Sequence, residues 1–490
     1  MNKIKLSAIA LTVAMMALAT AFLSLQGCCS DSSNKKGTLV YASQHGVVLN
    51  SDVYAGGGTD DTDALQAILD RAPRLGRLHL ILDGAARTSR TLKIHSNTTI
   101  ECPDKSCGIF LSDSSHCSVL SNADFDMKTI RNRNITLIGG VYNNNSPGQV
   151  HHVTKGVHYH HDGNFDNMLA ELVMVMSFSG VEHFTMRDVT LANMRTWCLS
   201  MANWKYVTMD NITIERQHRP DAQNQDGLHF TGPGRFLTLT NIRGNAGDDF
   251  IALSPDNEDL KSSIEDVLIQ GLQLEEVDQG IRMYVRGEGK LDRIIIRDIT
   301  GTYRSFGICL SPWVSKTGGH FGNIILDMVD MRPMKANYDY TPPHLFKICG
   351  NIESLTLKNI YQHTPDFNHQ MFHIGGNYIF DDDQPVNKEI YPGKIDRLIV
   401  DGLYIDERNE NGVPPDSYFK IKSDVGILSI NNVILQRAAG LPEKGSLIQV
   451  EPGGSVGELR LNNISTSGIK TLIEAKPDGI IKTKKLYNVN

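Results

Sequence analysis

The chain has 490 residues, 40% of them hydrophobic and 21% charged, with a formal net charge of −7. That balance describes an ordinary soluble globular protein and argues against nucleic acid as a partner. An acidic substrate would have to be met by a local basic patch, because the net field repels it.

The first residues are a targeting segment. Lys3 and Lys5 precede the apolar run "LSAIALTVAMMALATAFLSL", and "LQGC" follows, ending at Cys28. A basic start, an apolar core and small residues before a cut describe a secretory signal over residues 1–27. Leu-x-Gly-Cys resembles a bacterial lipobox, which makes Cys28 the expected lipidated first residue of the mature chain. An ordinary signal peptide or a single membrane helix are the other readings. Residues 28–37, with "SDSSNKKG", then read as a polar tether, and residues 38–490 as one domain. The expectation is a monomer held to a bacterial envelope by lipid, on the periplasmic or the surface face, rather than a protein spanning the membrane. Without residues 1–27 the chain keeps 46 basic and 55 acidic residues, a net charge of −9.

The one strong helix signal is "DDTDALQAILDRA" (60–72), whose acids suit a helix N-terminus. Its apolar residues Ala64, Leu65, Ile68 and Leu69 recur at helical spacing, as expected of a cap on the open end of a solenoid core. Next, Cys102, Cys107 and Cys117 cluster, and an exported protein would plausibly join two of them in a disulfide. Cys198, Cys309 and Cys349 fall within strand-like runs and read as small packing residues.

Beyond this point the chain repeats. "FTMRDVTL", "VTMDNITI", "LTLTNIRG", "VLIQGLQL", "IIIRDITG", "IILDMVDM", "LTLKNIYQ", "LIVDGLYI", "LSINNVIL" and "LRLNNIST" share one pattern. Each alternates apolar and other residues at period two, then turns, mostly at Asn, Asp or Gly. The turn positions are Asp188, Asn211, Asn241, Gly271, Asp298, Met328, Asn359, Gly402, Asn432 and Asn463, spaced 23–31 residues apart except for one step of 43. Units of this length without an amphipathic helix exclude leucine-rich and α-helical solenoids. They suit an all-β, right-handed, single-stranded parallel β-helix of roughly ten or more coils. The long step implies an inserted loop at 377–393. The "NIT" tripeptides at 134 and 211 fall on the repeat and need no glycan.

Stacked coils place equivalent residues in columns with neighbours roughly 4.8 Å apart. Aligning "TWCLSM", "QDGLHF", "DDFIAL", "DQGIRMY" and "SFGICL" gives an inward ladder of Leu199, Leu228, Ile251, Ile281 and Ile308. A second comprises Met201, Phe230, Leu253, Met283 and Leu310. Ser200, His229, Ala252, Arg282 and Cys309 lie between them and point outward. Two further columns precede the ladder: Trp197, Asp226, Asp249, Gln279 and Phe306, and Thr196, Gln225, Asp248, Asp278 and Ser305. Four acids thus gather in three coils beside an outward His and an outward Arg. This is either a functional site or a set of turn acids of the kind solenoids often carry.

The run from "MLAELVMVMSFSG" to "NITIERQ", then "NQDGLHF" and "GDDFIAL", resembles the central coils of glycoside hydrolase family 28, the polygalacturonases. "AGGGTDDTDALQAILDRA" resembles the opening of the wider pectate-lyase-like superfamily. The resemblance implies an inverting glycoside hydrolase whose three aspartates correspond to Asp226, Asp248 and Asp249. Inversion asks for a protonated carboxyl and a water-activating carboxylate about 6.5–9.5 Å apart. Crowding three acids raises at least one pKa. By analogy Asp249 is expected to be the acid and Asp226 with Asp248 the base pair. No cofactor is then required.

The pattern also departs from the family. Its Gly-His-Gly should fall at "DQG" (278–280) and its basic Arg-Ile-Lys at "GIC" (307–309). Either His229 and Arg282 take over those duties from a coil away, or the site serves another substrate. Asp278, Arg286, Trp313 and Lys316 complete the expected substrate-binding set, Trp313 as a platform for a sugar ring, whereas Trp197 reads as core. The segment "HHVTKGVHYHHDGNFDN" (151–167) is dense in histidine and matches no standard zinc spacing. It reads as a substrate-contacting loop, a plain surface loop or a metal site.

The leading expectation is an exported hydrolase of a polysaccharide or oligosaccharide, with pectin-related or other acidic glycans favoured. A polysaccharide lyase or uronate epimerase on the same fold is the alternative, and there Asp226, Asp248 and Asp249 would hold Ca²⁺. A non-catalytic glycan-binding lipoprotein is the third reading.

Overall fold

The turn residues of the repeat share one backbone conformation. In the computed structural model, φ at all ten positions from Asp188 to Asn463 lies between 50° and 81°. A β-carbon is disfavoured in this left-handed region, and Gly, Asn and Asp tolerate it best, which explains the recurring residue types. The side chains then bond along the stack. Asn211 Nδ2 donates to Asp188 Oδ1 at 2.7 Å, and Asn463 Nδ2 donates to Asn432 Oδ1 at 2.8 Å. Met328 is the exception, a long apolar side chain held at φ 56° and exposed.

The structure describes residues 37–150, 173–217, 224–312, 319–335, 342–376, 393–409, 411–438, 443 and 445–489. The named strands pair in parallel within one continuous sheet, which winds as a parallel β-helix. Thr38–Asn490 forms one compact unit. One inward ladder runs Leu92, Leu120, Met176, Leu199, Leu228, Ile251, Ile281, Ile308, Phe346, Phe372, Phe419, Ile448 and Ile473. Its central five rungs, and those of the Met201–Leu310 ladder, follow the expected register. After Ile308 three successive rungs are aromatic. Phe346 stacks on Phe372 and Phe372 on Phe419, with centroids 4.9 and 4.2 Å apart. Burying each such side chain contributes about 1.5–3 kcal/mol, so the ladder is the main axis of stability.

The expected N-terminal helix forms over Thr62–Leu69 and sends Leu65, Ile68 and Leu69 into the core of the first coils. Asp60 Oδ1 accepts from the Thr62 backbone N–H at 3.0 Å. The neighbouring Asp61 carboxylate instead holds the N–H groups of Val48 and Leu49. Among the described residues no helix is long and apolar enough to cross a membrane.

The expected disulfide does not form. Cys102, Cys107 and Cys117 are all free thiols. The Cys102 sulfur faces the Tyr142 hydroxyl at 3.9 Å, and that of Cys107 faces the Asp104 carboxylate at 3.7 Å, so the two are directed at different partners. Cys198, Cys309 and Cys349 are buried packing residues, as expected. Cys28, the histidines of 151–161 and residues 377–392 of the expected insert lie outside the described residues.

Candidate active site

Four successive coils build the candidate site, through the strands Leu199–Glu215, Leu228–Gly244, Asp249–Ser254 and Ile264–Tyr284. Register puts Ser200, His229, Ala252, Arg282 and Cys309 in one outward column. Asp226 and Asp249 sit one above the other just before it, tied by the Gly227 N–H donating to the Asp249 carbonyl at 2.8 Å. Gly227 is required there, because a β-carbon would meet the Phe250 carbonyl oxygen at 2.4 Å. The Asp-Gly pair is thus set partly by packing of one coil on the next.

Asp226, Asp248 and Asp249 converge, with one oxygen from each lying within 4.8 Å of the others. Asp226 and Asp249 are buried, and Asp248 is half-buried. These oxygens stand closer than the about 6.5–9.5 Å associated with inversion, so separation does not itself argue for that outcome. Each acid has its own partner. Arg282 Nη2 pairs with Asp249 Oδ2 at 2.6 Å, and Gln279 Nε2 donates to Asp248 Oδ1 at 3.0 Å. His229 Nδ1 lies 2.7 Å from Asp226 Oδ2.

Burial pushes all three carboxyls above their usual range, and repulsion from neighbouring acids adds to it for Asp226 and Asp249. For Asp226 desolvation is the largest cause, followed by the charges of Asp249 and Asp248. For Asp249 burial leads and Arg282 opposes it. Asp248 is raised by burial against the pull of Arg282 and Gln279. His229 is pushed well below its usual value, by burial first and by Arg282 second, and is neutral near pH 7. Asn257 Nδ2, a donor, lies 3.0 Å from His229 Nε2. That assignment leaves the His229 proton on Nδ1, donated to Asp226.

Several residues have roles the linear sequence concealed. Trp197 is buried, as its reading as core requires, yet it stacks on His229 with centroids 3.7 Å apart and so fixes the imidazole. Arg286 does not face the acids. Its guanidinium donates to the carbonyls of Asp256 and Asn257, and its backbone N–H to Asp256 Oδ2. It therefore holds the loop that presents Asn257 to His229, where a substrate-gripping residue was expected. Asp278 pairs with Arg304 at 3.6 Å. Trp313 and Lys316 lie outside the described residues.

The outward column continues past Cys309 to Lys347, His373 and Lys420. The repeated strings "LFKICG", "MFHIGG" and "YFKIKS" carry that signal, each placing its basic residue just after the aromatic rung.

Residues 79–283 match glycosyl hydrolases family 28, and this stretch contains all three aspartates, His229 and Arg282. The match and the fold support a glycoside hydrolase on a pectate-lyase-like parallel β-helix. Among solved structures, the chain is similar to the family 28 exopolygalacturonase of Yersinia enterocolitica. Identity is 14%, coverage 91% of this chain and 79% of that one, and the TM-score 0.50. It is also similar to a mutant tailspike protein of E. coli bacteriophage HK620, at 10% identity, 90% and 78% coverage and a TM-score of 0.51. At these identities the likeness is one of fold. No curated protein matches the sequence.

Proposed function

We propose that the protein is an exported, lipid-anchored glycoside hydrolase that cleaves an acidic polysaccharide or its oligosaccharides with inversion. The observation that carries this reading is the convergence of Asp226, Asp248 and Asp249 on the family-matched coils, with Arg282 paired to one of them. An acid catalyst must hold a proton and a base must not. Burial holds Asp249 well above the usual carboxyl range in spite of the 2.6 Å contact with Arg282, which suits the proton donor. Asp248 is raised less than Asp249, since Arg282 and Gln279 both oppose its burial, which suits a base. Asp226, oriented by His229, shares the water with Asp248.

The test is a panel of plant, algal and host glycans digested by wild type and Asp226→Asn, with the anomer of the first product followed by NMR. Cleavage by wild type with inverted product and its loss in the variant support the reading. A retained anomer refutes inversion, and no cleavage of any glycan refutes the hydrolase. The same three oxygens are spaced to hold a hard cation, which favours a Ca²⁺-dependent lyase as the second reading. Unsaturated, ultraviolet-absorbing products that disappear with a chelator would select it.

A further inference from the structure

Beyond the carboxyl cluster the outward column changes character. Arg282 is followed at successive rungs by Cys309, Lys347, His373 and Lys420, and His344 sits beside them on the Phe306 register. Lys347, His344 and His373 are 4%, 5% and 8% exposed. Among the described residues neither ring nitrogen of His373 has a hydrogen-bond partner, although both are buried. Leaving such groups unsatisfied costs free energy unless a ligand completes them. Lys420 makes no ion pair among the described residues; of the acids that line the same cavity, Asp416, Glu451 and Glu474, the last pairs with Lys476.

The charged groups that act on His373 among the described residues are basic. After burial, the causes that depress its pKa are Lys347, His344, Lys422 and Lys420, in that order. For His344 they are Lys347, Lys420 and His369, against one hydrogen bond that its ring donates to the Pro342 carbonyl. A cluster of cationic and neutral donors on a net acidic protein is an anion site in charge and in hydrogen-bonding capacity. Successive rungs are roughly 4.8 Å apart, so Lys347 lies about two rungs and Lys420 about four from Arg282. An extended glycan following the solenoid axis advances by about one sugar per rung, which brings a later sugar of the same chain to this cluster.

We infer that Lys347, His373 and Lys420 form an oxyanion subsite that binds the carboxylate or sulfate of a sugar two to four units from the scissile bond. The inference rests on the hydrolase reading for its register but not for the binding itself. His373 supplies one N–H donor and one acceptor, and the lysines supply charge that a neutral sugar would not reward.

The experiment measures binding to Asp248→Asn protein by calorimetry. Its probes are oligogalacturonate, the same oligomer with its carboxyls reduced to alcohols, and a sulfated galactan oligomer. Lys420→Gln, at a half-buried position that should fold normally, is expected to weaken the preferred anionic probe about tenfold, the effect of one lost charge-assisted hydrogen bond, with a smaller salt dependence. Lys420→Arg should restore most of it, and Lys347→Gln, checked for native melting, should act in the same direction. Preference for the carboxylated or the sulfated probe identifies the anion. Equal binding of the reduced probe, binding of no probe, or unchanged affinity in Lys420→Gln overturns the subsite. Cleavage of a neutral glycan by wild type together with that result would leave the hydrolase standing without the subsite. Anion binding lost in Lys420→Gln, with no cleavage by wild type, would do the reverse.

Discussion

Two stacks of polar residues run along this solenoid, and they obey different rules. At the turn, Asn, Asp or Gly recurs at nearly every coil because each coil needs the same left-handed backbone. In the outward column of the site, small residues (Ser177, Ser200, Ala252) are interrupted by His229 and Arg282, where the backbone asks for nothing special. Periodic polarity in a repeat protein therefore reports the fold, and polarity that breaks the period reports chemistry. If so, changing the turn should alter stability alone, and changing the column should alter activity out of proportion to stability, or even against it.

Asp226→Asn is the sharpest separation of the two. Activity on whichever glycan the wild type cleaves should fall by about 10²–10⁴-fold, since a positioned acid or base is lost. Stability near neutral pH should rise. Burial holds Asp226 and Asp249 well above the usual carboxyl range, so the unfolded chain releases these protons first as pH climbs. The cluster's contribution is therefore greatest below about pH 4 and is lost progressively toward the raised folded pKa values. His229 runs the other way, gaining as pH rises toward 6.5, and in Asp226→Asn an amide oxygen can still accept from its Nδ1, so this contribution is kept in both proteins. Urea denaturation of both proteins from pH 4 to 7 should show the variant's advantage growing with pH. An advantage that is absent or shrinks with pH would mean the acids are not mutually strained.

Arg282→Gln should act on both properties. It strands Asp249 as a fully buried carboxylate, and breaking a buried pair from one side costs about 3–5 kcal/mol. Stability should fall least where Asp249 can take up a proton, so denaturation midpoints of wild type and variant should converge toward acid pH. A midpoint difference independent of pH would remove the ion pair from the account.

Much of this was legible before any coordinates, and the boundary between what was and was not is physical. The inward ladder from Leu199 to Ile308 and the turn positions follow from period and from backbone preference, both of which are written residue by residue. The three aspartates could be gathered because stacking turns sequence register into adjacency. Partnership was not legible. Nothing in the string "MYVRGEGK" (283–290) says that Arg286 turns to Asp256 and Asn257, or that Trp197 lies flat on His229. The spacing of Cys102 and Cys107 likewise carries no information on where each sulfur points. Lys347, His373 and Lys420 were within reach, since their strings repeat the aromatic rung. Variable loops between those coils break the spacing that makes the earlier rungs easy to align.

At the turn, the comparison predicts effects on stability with no change in activity. Asn241 lies at φ 56° and donates from Nδ2 to Asp210 Oδ1 at 2.9 Å. Asn241→Ala keeps the strained backbone, loses the bond and should destabilise by about 1–2 kcal/mol. Thermal melting beside an activity assay checks both halves, and a fall in activity matching that of Asp226→Asn would erase the distinction between the stacks.

Met328 gives the smallest effect and the most direct probe of the turn rule. Its neighbours at equivalent turns, Asp298 and Asn359, have φ of 58° and 50°, so Met328 at 56° occupies the same conformation without their local polar side chain. It is exposed, so no core packing is lost on replacing it. Met328→Asn should therefore stabilise by about 0.5–1 kcal/mol through backbone preference alone, and Met328→Gly by a similar or smaller amount because glycine also frees the unfolded chain. Any hydrogen bond that the new Asn made to the coil before it, as Asn359 Nδ2 does to Asp327 Oδ1 at 2.7 Å, would add to the first figure and not to the second. Comparing the two variants thus separates conformational strain from ladder bonding. A melting temperature lowered by both would show that the methionine has a packing role on the surface outweighing its backbone strain.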